Sequence, residues 1–256
     1  MKFRVLGCSG GQFPGRNLSS FLVNESLLID AGSATSVLDL RGQQRIRNIL
    51  ITHVHLDHVM GLATMADNLF GNCKTTVHVW GIDEVIAALK SSFFNDTVWP
   101  DFTQITGENQ TWPVMSFHNI PEEDPMPIAG LTVSMIRVNH VVPSTAFFIE
   151  DDKKTLLHVG DTGPTESVWQ IARRKRNLCA VVLEASFPNS LQGQADMSRH
   201  LTPRNLAQEV EKLGRPSVPI LVTHLKPQYR SEIVRDLKKI RGHRLRVLKD
   251  GDSLRL

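Results

Sequence analysis

Cysteine is scarce: Cys8, Cys73 and Cys179 stand far apart in a chain of 256 residues. An odd number at such spacing excludes a disulfide framework and a compact cysteine metal site, and predicts reduced intracellular thiols. Net charge is nearly absent too, since 29 basic and 26 acidic side chains leave only +3. So small a surplus argues against recognition of nucleic acid through a broad cationic surface, which needs basic groups gathered in one place. The densest basic stretch, Lys226 to Arg246, is interrupted by Glu232 and Asp236, while Leu237 and Ile240 read as the buried side of one helix. A solvated helix face is therefore the favoured reading. No apolar run approaches the ~20 residues that cross a bilayer, and the opening MKFRVLGCSGG passes at once into strand and turn. No membrane or secretory segment is expected, and the location is expected to be cytoplasmic. The 13 prolines and 17 glycines are dispersed without forming a linker, so one domain over 1–256 is expected.

Against these absences stands a hydrophobic content of 41% with 21% charge, the balance of an ordered protein with a substantial core. Short apolar runs predict strands at Phe3–Leu6, Phe21–Val23, Leu27–Asp30, Ile49–Thr52 and Thr75–Trp80. Others follow at Leu131–Val138, Ala146–Glu150, Thr155–Val159, Leu178–Leu183 and Ile220–Thr223. Helical spacing is read over Leu62–Leu69, 82–91, Pro203–Leu213 and 231–240, the third with proline at its start. Leu245–Leu248, Asp250-Gly251 and Ser253–Leu256 read as a terminal hairpin. Residues 93–127 mix prolines, aromatic and polar groups and are taken as a pocket-covering insertion. Its aromatics Phe93, Phe94, Trp99, Phe102 and Trp112 are read first as core, with stacking on a nucleobase as the alternative. Strands in both halves with helices between them favour an α/β sandwich of two sheets.

The densest chemistry lies in THVHLDHVMG, where His53, His55, Asp57 and His58 fall within six positions. Imidazole nitrogens and carboxylate oxygens are zinc-type ligands, with bonds of about 2.0–2.2 Å. An extended start directs His53 and His55 to one side, and a following turn brings Asp57 and His58 to an adjacent ion. Later, His140, Gly160-Asp161-Thr162 and His224 each mark a strand end, and Asp30 follows the apolar LLI.

With these markers in this order, the chain resembles the metallo-β-lactamase superfamily over most of its length. The resemblance implies an αβ/βα sandwich with two central mixed sheets and two divalent ions at a sheet edge, zinc first, manganese or iron as alternatives. It implies one ion held by His53, His55 and His140, the other by Asp57, His58 and His224, and Asp161 as the bridge. Asp30 would support the metal-binding loop without coordinating. Homodimerisation is implied by the same resemblance.

Such a centre activates water for hydrolysis, with Asp57 orienting the nucleophile. His200, in SRHLTP, is the candidate general acid and phosphate contact, and Glu184, in LEASF, its orienting or relay partner. Asn139 and Ser144, flanking His140, are candidate substrate contacts; Arg16, Ser19, Ser20 and Tyr229 are read as turn or packing residues. Within the superfamily, HVHLDHVMG, Gly160-Asp161-Thr162, SRHLTP and VTHLKP are similar to the class II cyclic-nucleotide phosphodiesterases. A 3′,5′-cyclic nucleotide such as cyclic AMP or cyclic GMP, opened to a 5′-mononucleotide, is the leading expectation. Transfer-RNA 3′-end endonucleases resemble the chain in Glu184, His200 and THLKPQY, but no long basic Gly/Pro-rich arm precedes His140, which places RNA second. Lactam or thioester hydrolysis and a non-enzymatic metal-binding module are the wider alternatives.

Overall fold

The strands of the first sheet are β1 (Lys2–Gly7), β2 (Ser20–Val23), β3 (Leu27–Ile29), β4 (Asn48–Leu50), β5 (Val77–Gly81) and β6 (Met115–Asn119). Those of the second are β7 (Met126–Ile128), β8 (Leu131–Arg137), β9 (Thr145–Glu150), β10 (Thr155–His158), β11 (Leu178–Glu184), β12 (Ile220–Thr223) and β13 (Leu245–Val247). The last strand, β14 (Ser253–Arg255), returns to the first sheet. The computed structural model describes every residue except Cys73, Asn109 and Glu123, so the thiol expected at Cys73 lies outside the described residues; Cys8 and Cys179 are free.

Both seven-stranded sheets are mixed, in the orders β14-β1-β2-β3-β4-β5-β6 and β13-β12-β11-β10-β9-β8-β7. In the first, β3 to β6 run parallel and the β14-β1-β2-β3 side is antiparallel. The second mirrors this, with β10 to β13 parallel and β7 to β10 antiparallel. Side chains of a strand alternate between its two faces. Along β11, Ala180 and Val182 join the core between the sheets, whereas Val181 and Leu183 pack with the helices outside. Burial on both faces explains why LCAVVLE is a continuous apolar run. Outside it lie helices Ser167–Arg174, Pro203–Leu213 and Arg230–Leu237, which bring Trp169, Leu206 and Ile233 into the same cluster. The basic late helix has a buried side at Ile233 and Leu237 with Arg235 outside.

Three sequence expectations are corrected. The strand expected to reach Thr52 ends at Leu50, because the Thr52 N–H is taken by Asp30 Oδ1 at 2.9 Å. The helix expected from Leu62 begins at Leu56, its apolar period hidden by the polar pair Asp57 and His58 in its first turn. Third, the chain does not end in a hairpin: β13 pairs in parallel with β12, and β14 antiparallel with β1. The Asp250-Gly251 corner is drawn to the first sheet, where Asp250 accepts from the N–H groups of Cys8 (3.1 Å) and Asn17 (2.8 Å) and the Gly251 N–H donates to the Val5 carbonyl at 2.8 Å. Within 93–127, Phe94 and Phe102 are buried core residues and Met115–Asn119 forms the edge of the first sheet.

Candidate metal centre

Seven loops converge where the two sheets end. His53 follows β4, His55 is the extended residue before helix Leu56–Leu69, and Asp57 and His58 occupy that helix's first turn. The second sheet contributes His140 after β8, Asp161 after β10, Glu184 at the end of β11 and His224 after β12. His200 lies between helices Gln192–Ser198 and Pro203–Leu213. Asp30, Arg199 and His224 have φ of 55°, 50° and 61°. Left-handed backbone is costly for residues with a Cβ, and its concentration here points to a site that fixes its side chains. Close packing is also required: a Cβ on Gly61 would lie 2.0 Å from the Ala31 carbonyl oxygen, and one on Gly32 would lie 2.1 Å from that of Asp57. These two glycines let the helix settle onto the Asp30 turn.

The donors form two neighbouring groups. His55 Nδ1 lies 3.0 Å from His53 Nε2 and 3.3 Å from His140 Nε2. In the second group His224 Nε2 is 3.1 Å from Asp57 Oδ2 and 3.3 Å from His58 Nε2. Asp161 Oδ2 stands between them, 3.8 Å from His53 Nε2, 3.4 Å from His58 Nε2 and 3.3 Å from His224 Nε2. Bonds of about 2.0–2.1 Å in a tetrahedron put neighbouring ligands roughly 3.3 Å apart, so these spacings suit zinc-class ions. The clusters have the capacity for one or two divalent ions.

Hydrogen bonding prepares the rings for that role. His58 Nδ1 is 2.7 Å from Asp30 Oδ2, and His140 Nδ1 is 3.0 Å from the Arg199 carbonyl oxygen. Both partners only accept, so each Nδ1 carries a proton and Nε2 is the nitrogen left to face an ion. Thr52 donates its hydroxyl proton to Asp30, and Ser186 donates to Glu184 Oε2 at 2.5 Å. Their oxygens then accept from His53 Nδ1 at 3.1 Å and His224 Nδ1 at 2.9 Å. All four rings thereby aim Nε2 inward, the outer-partner arrangement typical of metal ligands. Thr52, Ser186 and Arg199 went unnoticed in the sequence; only their places beside His53, Glu184 and His200 hinted at them.

Electrostatics point the same way. Burial holds His53 well below the usual histidine range, with His58 adding to the effect, and burial also lowers His55 and His140. These imidazoles are neutral at pH 7, as ligands must be. At His58 burial works downward, but Asp161 and Asp30 outweigh it and hold the ring well above that range. Burial likewise opposes ionisation of Asp161, yet His224 and His58 keep its carboxyl well below the usual carboxylate range. An anionic pocket of this kind favours any cation, and His58 would have to give up its Nε2 proton to hold one.

Beside the metal groups, His200 Nδ1 is 2.6 Å from Glu184 Oε1 and 4.0 Å from Asp161 Oδ2. Burial lowers the His200 pKa, but the Glu184 carboxylate outweighs it and the net shift is upward. Ser144 is buried and donates to the Asp161 carbonyl at 3.3 Å; Asn139 donates to the Pro164 carbonyl at 3.0 Å. Ser19 and Ser20 are buried, Ser19 just before β2 and Ser20 as its first residue. Tyr229 lies 6.2 Å, centroid to centroid, from Phe187, which in turn is 5.9 Å from His200. Interleaved with the metal-site residues, Val54, Leu56 and Val59 line a recess of about 210 Å³ closed by Ala88, Leu89, Ser92 and Phe93.

Comparison with known proteins agrees with this geometry. Residues 39–254 match the family model described as cAMP phosphodiesterases class-II. A "Probable 3',5'-cyclic-nucleotide phosphodiesterase" of Yersinia pestis is 27% identical, over 92% of this chain and 80% of that protein. Among solved structures, unliganded yeast PDE1 superposes with a TM-score of 0.85 at 18% identity, covering 100% of this chain and 99% of that one. The short form of human tRNase Z superposes at 0.71 and 16% identity, with the same coverage. The two structures show the shared fold. The family match and the clustered donors together make the protein a metal-dependent hydrolase of phosphoester or ester bonds. The chain belongs to the class-II cAMP phosphodiesterase family, within the metallo-β-lactamase superfamily.

Proposed function

We propose that the protein hydrolyses 3′,5′-cyclic nucleotides to 5′-mononucleotides at a dinuclear centre. His53, His55 and His140 would hold one ion, Asp57, His58 and His224 the other, and Asp161 would touch both. Divalent ions there supply Lewis-acid polarisation of a phosphoryl oxygen and a water acidic enough to attack at neutral pH. The observation that carries the phosphodiester reading is the Glu184–His200 pair, 2.6 Å apart and beside Asp161. Opening the ring to a 5′-product breaks the P–O3′ bond, and the departing O3′ needs a proton. Glu184 engages His200 at Nδ1, so the transferable proton is on Nε2. Asp57, its carboxyl held below the usual range by His224 and His58 against burial, orients the attacking water. The recess beside Val54 and Leu56 takes the base, and Phe93 forms part of its wall. Asn139 is the polar contact proposed beside His140; Ser144 acts through the Asp161 loop.

Two measurements test this reading. Zinc-loaded protein offered cyclic AMP, cyclic GMP and precursor transfer RNA is expected to release 5′-mononucleotides and to leave the RNA intact. Efficient 3′-end cleavage of the RNA with negligible cyclic-nucleotide turnover would replace it with the endonuclease reading, to which the tRNase Z fold likeness lends support. His200→Ala is expected to lower kcat by about 10²–10⁴-fold at unchanged metal content; an unaltered rate across the pH profile would remove the acid role.

The pH profile gives a further expectation. A general acid works while protonated, so the rate persists as pH rises until it passes the raised His200 pKa. Glu184→Gln removes the charge that raises it, and the alkaline limb of kcat should move to lower pH. A limb that stays in place would mean that another group titrates.

A further inference from the structure

A second group of donors lies on β5 and β6, and none of its residues takes part in the centre described above. The parallel register sets His78 opposite Ser116 and Trp80 opposite His118. Alternation puts all four side chains on one face of the sheet, the face that Leu50, Ile29 and Phe21 share through β4, β3 and β2. His78 Nδ1 is 2.9 Å from His118 Nε2. Ser116 Oγ is 3.3 Å from the former and in hydrogen-bond contact with the latter. The indole of Trp80 stacks on the His118 ring at 4.4 Å and 25°, and is itself fixed by donating Nε1–H to Asn48 Oδ1 at 3.0 Å.

Burial lowers the pKa of both histidines, and His78 adds to the effect at His118. Both rings are neutral at pH 7, and only one proton fits between the two facing nitrogens. At least one lone pair therefore points at the spot where the Ser116 oxygen also points. A sheet carries these groups, so their convergence needs no loop to close, and the rings are half-buried at the sheet margin, within reach of solvent. Two imidazoles and a hydroxyl suit a borderline transition metal, whereas calcium and magnesium demand oxygen shells.

We propose that His78 Nδ1, His118 Nε2 and Ser116 Oγ form a separate site for a divalent transition-metal ion of the copper, nickel or zinc class, with water completing its shell. Bound there, the ion ties the edge strand β6 to β5, and by mass action it stabilises the fold as its concentration rises.

Copper(II) titrated into protein already loaded with zinc tests the proposal through binding, without recourse to activity. The wild type is expected to take up one copper(II) per chain more than His78→Gln or His118→Gln. Its electron paramagnetic resonance spectrum should carry coupling to two imidazole nitrogens. Tryptophan emission offers an independent reading, since Trp80 stacks directly on His118. Copper should quench the wild type, while Trp80→Phe keeps the additional ion and loses that quench. Equal copper uptake by the wild type and both histidine variants would overturn the site. So would a wild-type spectrum without nitrogen coupling, a result that does not depend on any variant folding.

Discussion

Asp161→Ala is expected to lower hydrolysis by at least about a hundredfold and to reduce the metal retained per chain, since the bridge proposed for it would serve two ions and so outrank the outer partners whose loss alone costs about 10–100-fold. Its carboxylate lies within 4.0 Å of His53, His58, His200 and His224, more of the centre's histidines than Asp57 approaches. Removing it also removes the charge that offsets burial at His58, so the ring's pKa should fall toward the usual histidine range or below. Metal analysis and steady-state kinetics on one preparation measure both effects. Full metal content with undiminished kcat would show that the carboxylate is dispensable, and would remove the bridging assignment.

The second large effect is expected at a residue that need touch no metal. Asp30 is fully buried and accepts from the Thr52 N–H at 2.9 Å and the Thr52 hydroxyl at 2.9 Å, while His58 Nδ1 lies 2.7 Å away. Replacement by alanine leaves these buried groups without their acceptor. Breaking a buried ionic network by deleting one partner costs about 3–5 kcal/mol, or roughly 6–20 °C in midpoint for a chain of this size. Thr52 orients His53 as well, so the variant should also bind metal about 10–100-fold more weakly. Calorimetry of the chelated protein isolates the first effect and a competition titration the second. Unchanged metal affinity alongside lost stability would confine Asp30 to a packing role.

Much of the centre was legible because its candidate ligands lie in a short, chemically dense segment and at the ends of apolar strands. His53, His55, Asp57 and His58 could be read from spacing alone, and the structure brings His140, Asp161 and His224 to them across the gap between sheets. What stayed hidden was the scaffolding by short polar side chains. A Thr52 or a Ser186 has no periodicity, and its importance arises only when a distant carboxylate, Asp30 or Glu184, is folded against it. The fold followed the same division. Strands such as β11 and β12, apolar on both faces, announced themselves, but Met115–Asn119 alternates over only four residues, in a stretch crowded with prolines and polar groups. The terminal corner was misread because Asp-Gly signals a reversal without revealing which sheet receives the next strand; the Cys8 and Asn17 N–H groups decide that from more than 230 positions away.

That corner also governs when the β1 edge of the first sheet can close. Lys2 pairs with Arg255 across β1 and β14, while β13, just before the corner, completes the opposite sheet. During synthesis β1 leaves the ribosome well before β14, so its outer edge stays open until residues 253–255 have been made. For all that time it is a row of free N–H and C=O groups, able to pair with another nascent copy. The exposed Lys2 and half-buried Arg4 of that strand, each with Glu25 as partner in the finished fold, put charge where such pairing would begin.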